Sequence, residues 1–170
     1  MLRALAVQAL LSIAMAGPLL ACPIEKIAHA TREPLDRFKK IEVEARKWRS
    51  LEGGHWLIYL RKDGVPHSIL RIDYGETGQR QVRVSFLDRQ TFGIVVTTLR
   101  YDAPIDPSRQ ARVVQSVSTG AFFCDKSNLV YVQANPHDEL SALAAIREAK
   151  AQRAMLFEAE EIAQYLKHIR

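Results

Sequence analysis

The sequence predicts an α+β fold: an antiparallel β-meander of about six strands, flanked by an N-terminal helix and a long C-terminal helix. Two observations carry this. Between His55 and Gln133 apolar residues alternate with polar ones, and Gly- and Asp-containing turns separate the runs. On either side of that stretch the apolar spacing changes to that of a helix. With the first 21 residues set aside as an export signal, about 150 residues remain, enough for one domain with its own core.

The signal comes first. Arg3 supplies a positive start, Ala4 to Ala16 is apolar except for Gln8 and Ser12, and Gly17-Pro18 ends the run. The stretch has the length and flanks of a secretory signal. A membrane span needs roughly 20 apolar residues, and no later segment supplies them. The short signal and the Ala/Arg-rich composition indicate a bacterial source and a periplasmic location. Three readings of its end stay open. Ala14-Met15-Ala16 fits signal peptidase. Leu19-Leu20-Ala21-Cys22 resembles a lipobox, after which Cys22 would carry a lipid anchor. In the third reading Cys22 pairs with Cys124 in a disulfide, since two cysteines in an exported chain suit one bridge.

Residues 22–170 are read as a single globular domain. Positions 24–49 read as helical, with Pro34 in a first turn and Leu35, Phe38, Ile41 and Ala45 at helical spacing. Ser50-Leu51-Glu52-Gly53-Gly54 ends that segment. The meander spans 55–133. Trp56, Ile58 and Leu60 alternate with Leu57, Tyr59 and Arg61, and Lys62-Asp63-Gly64 makes a turn. Ser68, Leu70, Ile72 and Tyr74 share the next face, followed by the turn Gly75-Glu76-Thr77-Gly78. Val82, Val84 and Phe86 alternate with Arg83 and Ser85. Asp88-Arg89-Gln90 turns into Phe92, Ile94, Val96 and Thr98, and Pro104 to Ser108 forms a longer loop. Strands at about 113–124 and 129–133 are joined by Asp125 to Asn128. From 136 to 170 the chain reads as helical, opened by Asn135-Pro136. Met155, Ala159, Ile162, Leu166 and Ile169 form an apolar stripe suited to covering the sheet.

Leu51-Glu52-Gly53-Gly54, Tyr74-Gly75-Glu76-Thr77-Gly78, Tyr101-Asp102-Ala103-Pro104-Ile105, and Phe122-Phe123 ahead of Leu129 together resemble a group of small secreted bacterial proteins of unknown function. The resemblance covers roughly residues 55–132, about half of the chain, and consists of turns and strand ends. It implies an exported β-rich domain and no particular reaction. Cys124 stands where that pattern has an aromatic residue.

No catalytic motif stands out. There is no H-E-x-x-H, C-x-x-C, G-x-S-x-G or phosphate loop, so neither a compact metal site nor a bound cofactor is expected. His55 and His67 are expected on the strand surface of the first hairpin, and Asp73 and Glu76 in a solvated turn. The formal net charge is +5. Arginines fall on or beside the strands. Arg71, Arg80 and Arg83 are the candidate binding residues, forming a guanidinium patch if they share a face. Such a patch suits phosphate or carboxylate. The expected function is therefore an exported periplasmic binding or envelope-interaction module without catalytic activity. Its partner would be an anionic envelope component or another envelope protein, and not nucleic acid. The alternatives are a hydrolytic enzyme with a site across the sheet and an inhibitor of a secreted enzyme.

Overall fold

The computed structural model describes residues 22–46, 53–104, 111–124, 128–133 and 139–169, without side chains at 128–133 and 139–142. The export signal at 1–21, most of the loop after Pro104, the Asp125 to Ser127 turn and the helix start at Asn135-Pro136 lie outside the described residues.

The elements run α1 (Ile24–Arg32), β1 (Lys39–Glu44), β2 (Gly54–Leu60), β3 (Pro66–Gly75), β4 (Gly78–Phe86), β5 (Phe92–Tyr101), β6 (Val113–Cys124), β7 (Asn128–Gln133), α2 (Glu139–Glu158), a 3-10 turn (Glu160–Ile162) and α3 (Ala163–Leu166). The seven described strands form one sheet in chain order, every neighbour antiparallel. The α+β meander is as expected. It has one strand more than the sequence suggested, and both helical segments are shorter.

The N-terminal helix ends at Arg32, not at residue 49. Glu33 precedes Pro34, and the proline ring pushes it into the extended region, at ψ 132°. Pro34 thus stops the helix instead of starting one. Beyond it, Ile41 and Val43 alternate with exposed Lys40, Glu42 and Glu44, and β-branched residues at period two favour a strand. The C-terminal helix is also interrupted. Ala159 is extended, at ψ 108°, after which the 3-10 turn and α3 set Ile162 and Leu166, and then Ile169, against the core. Among the described residues, no helix is long and apolar enough to cross a membrane.

The two helical units cover opposite faces of the sheet. Cross-strand partners point the same way, so each row of the register has a single side. The rows Ile58–Ile69–Val84–Ile94–Ala121 and Trp56–Arg71–Val82–Val96–Thr119 face α2 and α3. With Phe86, Phe92, Phe123, Leu156, Ile162 and Leu166 they make the apolar core. The row Tyr59–Ser68–Ser85–Gly93–Phe122 faces α1. There α1 lies so close that a Cβ on Gly93 would sit 2.5 Å from Thr31 Cγ2 and 2.8 Å from Ile27 Cγ2. Only glycine fits under the helix at that point.

Candidate functional site

The three candidate arginines do not form one patch. Arg71 and Arg80 lie in adjacent rows under α2, while Arg83 is in a row on the α1 face. Arg71 is 1% exposed. Its Nε donates to Asp73 Oδ1 at 2.8 Å, and its guanidinium lies 5.1 Å from the Trp56 ring centroid. Arg80 pairs with Glu148 of α2 and lies 3.8 Å from Asp73 Oδ2. Arg83 donates to the carbonyls of Ala30 at 2.9 Å and Glu33 at 2.7 Å, so its charge closes the C-terminal end of α1. The patch fails for a physical reason: Arg80 and Arg83 are three residues apart on one strand, and odd separations point to opposite faces. Each guanidinium is held by groups of the chain itself.

Cys22 and Cys124 form a disulfide, with their Cα atoms 6.0 Å apart. The bridge ties the residue ahead of α1 to the end of β6, next to Phe122 and Phe123.

The histidine expected on the strand surface, His67, is instead buried and 5% exposed. The cause is a β-bulge: Tyr59 pairs with Ser68 and Leu60 with Pro66, leaving His67 as the extra residue. The bulge turns the imidazole beneath α1, where it stacks on Phe38 with ring centroids 4.2 Å apart. His67 Nε2 lies 2.7 Å from Glu33 Oε2, and Nδ1 lies 2.9 Å from Ser68 Oγ. Ser68 Oγ is 2.8 Å from Ser85 Oγ, which accepts from Arg83 Nε at 3.1 Å. With the ring neutral and Glu33 ionised, one proton order satisfies every link. Arg83 donates to Ser85, Ser85 to Ser68, Ser68 to Nδ1, and the Nε2 proton goes to the Glu33 carboxylate. A guanidinium thus stands at one end of a buried chain and a carboxylate at the other.

That order requires a neutral imidazole, since a second ring proton would meet the Ser68 hydroxyl proton head-on. The electrostatics agree. Burial pushes the His67 pKa below its usual value, the Glu33 carboxylate pulls it back up, and the Arg61 and Arg83 charges reinforce the burial. For Glu33, burial alone would raise the pKa. The hydrogen bond from the neutral His67 ring and the nearby Arg37 and His29 charges outweigh it and hold the carboxyl below its ordinary value.

His67 and Glu33, at one end of this chain, line a cleft of about 490 Å³ between α1 and one end of the sheet. Lys26, His29, Arg37 and Arg61 bring positive or protonatable groups to it, and Phe38 and Leu87 supply apolar surface. Arg37 pairs with Glu33, and Arg61 donates to the Phe86 carbonyl at 2.8 Å. The cleft therefore carries more positive than negative charge. A second cavity, of about 400 Å³, lies between the sheet and the α2–α3 break. Arg46 and Arg71 line it opposite Glu158, Glu160 and Glu161. Glu161 accepts from Trp56 Nε1 at 2.9 Å and from the Arg46 amide at 3.2 Å. A hydrogen bond from its own backbone amide, these two bonds and the Arg46 charge together offset its burial and keep its carboxyl below the usual range.

Among the described residues, no group of three or more His, Cys, Asp or Glu could hold a metal ion. The clue that sequence reading missed was Pro66-His67-Ser68, where polar residues stand side by side and break the period-two pattern at the start of β3. No family model, curated protein or solved structure matches this chain.

Proposed function

We propose that the chain is an exported, periplasmic binding module without catalytic activity, and that the cleft beside α1 takes hold of an anionic component of the envelope. The observation that carries this reading is the cationic rim of Lys26, Arg37 and Arg61 beside the apolar surface of Phe38 and Leu87. Cations beside aromatic surface suit an anionic group attached to a sugar or acyl body. The signal-like N-terminus supports export, and a Cys22 sulfur engaged with Cys124 leaves none for a lipid. Hydrolysis is the weaker reading. A Ser–His–Glu order resembles a nucleophile, base and orienting acid, but Ser68 and Ser85 are both 0% exposed and bonded to each other.

The test is retention of the purified chain on peptidoglycan sacculi and on vesicles containing anionic lipid, with neutral vesicles as control. Binding should fall steeply with salt, because exposed charges are screened within about 8 Å at physiological ionic strength. Lys26→Glu with Arg37→Gln should weaken it while the circular dichroism spectrum stays unchanged. Failure of the native chain to bind at low salt, or retention indifferent to salt and to both substitutions, would overturn the reading. Intact mass before and after reduction separately tests export and the bridge. The expected result is loss of residues 1–21 or fewer, a gain of two protons on reduction, and no diacylglyceryl mass.

A further inference from the structure

The two edges of the sheet differ in chemistry. One edge is β1, in which Lys39, Lys40, Glu42 and Glu44 are charged and exposed. Charged edge strands resist pairing with another chain. The opposite edge is shared. The described residues of β7 pair with β6 only from Gly120 to Cys124. From Val113 to Thr119, no described residue pairs with the outer side of β6. That stretch reads Val-Val-Gln-Ser-Val-Ser-Thr, without charge or proline, and Val113, Val114 and Val117 are 52%, 60% and 52% exposed. An uncharged, β-branched edge whose outer backbone groups pair with no described residue is a template for strand addition.

We infer that this edge pairs with the same edge of a second copy of the chain, antiparallel about a two-fold axis at Val117. The register supports this occupant. At one end the window that no described residue covers stops at Gly120, which already faces Gln133. At the other end a bulge falls at Val114, since Arg100 pairs with Gln115 and Tyr101 with Val113. The regular part of the free edge is Gln115 to Thr119, and its centre is Val117. A two-fold there sets Val117 against Val117, Ser116 against Ser118 twice, and Gln115 against Thr119 twice. Each of these is a favourable cross-strand pair, and none brings charges together. The same axis places Val114 opposite the partner's Gly120. The bulge therefore bends each strand away where β7 occupies the other copy's edge. An isologous pairing of this kind closes on itself, whereas β6 joined to a neighbour's β1 would propagate without end and would meet four charged residues. The contact is short, so the dimer is weak and concentration-dependent.

Sedimentation equilibrium of the purified chain over a concentration series tests this. The expected result is a reversible monomer–dimer equilibrium. Val117→Lys and Val117→Glu, each at an exposed position, should each weaken it by at least about tenfold, because like charges meet at the axis. An equimolar mixture of the two variants should associate again. Amide exchange in residues 115–119 should slow as the native chain is concentrated, a readout that does not depend on how the variants fold. A native chain that stays monomeric at every concentration overturns the inference, as does a dimer that tolerates Val117→Lys. A monomer that binds a labelled Gln-Ser-Val-Ser-Thr peptide also overturns it and gives the edge to another protein's extended segment.

Discussion

The two faces of the sheet solve the same burial problem with opposite chemistry. Under α2 and α3 the rows carry Trp56, Ile58, Ile69, Val84, Phe92 and Ile94, and the buried cation Arg71 pairs with Asp73 beside Trp56. Under α1 the row is Tyr59, Ser68, Ser85, Gly93 and Phe122, and hydrogen bonds do much of what apolar contact does opposite. Apolar burial is non-directional and tolerates small shifts. A chain of buried hydroxyls and an imidazole holds only in one arrangement, because each unpaired member costs the full desolvation of its group. The α2 face should therefore dominate stability, while the α1 face holds the helix and the cleft in one geometry.

The largest effect that could break this comparison is on the apolar side. Phe92 is 0% exposed and stacks on Phe123, with centroids 5.0 Å apart. Phe92→Ala should cost about 3–5 kcal/mol in urea unfolding. A loss below about 1 kcal/mol would mean that this face is not the main core. Asp73→Ala should cost a comparable ~3–5 kcal/mol, since it removes the buried carboxylate to which Arg71 Nε donates. Replacing Arg71 and Asp73 together with Met and Leu should recover most of that loss. If the double variant is as unstable as the single, the pair supplies more than mutual neutralisation.

The disulfide ranks next. Cys22 and Cys124 are separated by 102 positions. Closing a loop of that length restricts the unfolded chain, and reduction should lower stability by roughly 2–4 kcal/mol. Because the bridge anchors the start of α1, reduction should also loosen the cleft. Amide exchange in 24–32 should accelerate more than in the strands facing α2. A uniform acceleration would mean that the two faces unfold as one unit. Gly93→Ala should cost about 1–3 kcal/mol by overpacking against Thr31 and Ile27. Adding Thr31→Ser, which removes the nearer methyl group, should return part of it.

The difference between the faces also explains what could be read from the sequence. The meander was legible because Val82, Val84, Phe86, Phe92, Ile94 and Val96 keep strict alternation between recognisable turns. β1 was not, because Leu35, Phe38, Ile41 and Ala45 mimic a helical stripe, and only the effect of Pro34 on Glu33 reveals the break. The separation of Arg80 from Arg83 was implicit in the period of a strand. The site around His67 was hidden more deeply. It depends on a one-residue bulge opposite Tyr59 and Leu60, and on Glu33 and His67 meeting across 34 positions. Neither follows from local propensity. Long-range pairings of polar groups leave no periodic trace, so a polar site on an otherwise regular sheet is the feature hardest to see in advance.

The smallest predicted effect is the sharpest probe of the α1 face, because it reports on the proton order of the buried chain. In the folded protein His67 is held neutral to lower pH than in the unfolded chain, where the ring takes up its proton near pH 6.5. Between that value and the lower folded one, the unfolded state binds more protons, so stability falls as the solution is acidified. One proton sets a limit of about 1.4 kcal/mol per pH unit. Glu33 acts in the same direction in a lower window. Its carboxyl is held below its usual value of 4.5, so the stability it contributes is present above that pH and is lost as pH falls through the folded value. Urea unfolding from pH 8 to pH 4 should therefore show a decline that begins near pH 6.5 and continues below about 4.5. His67→Gln, whose amide can still donate toward Glu33, should flatten the upper part of the decline and leave the lower. If the native chain is equally stable at pH 7.5 and pH 5.5, or if His67→Gln leaves the upper slope unchanged, the ring is not the neutral link between Ser68 and Glu33.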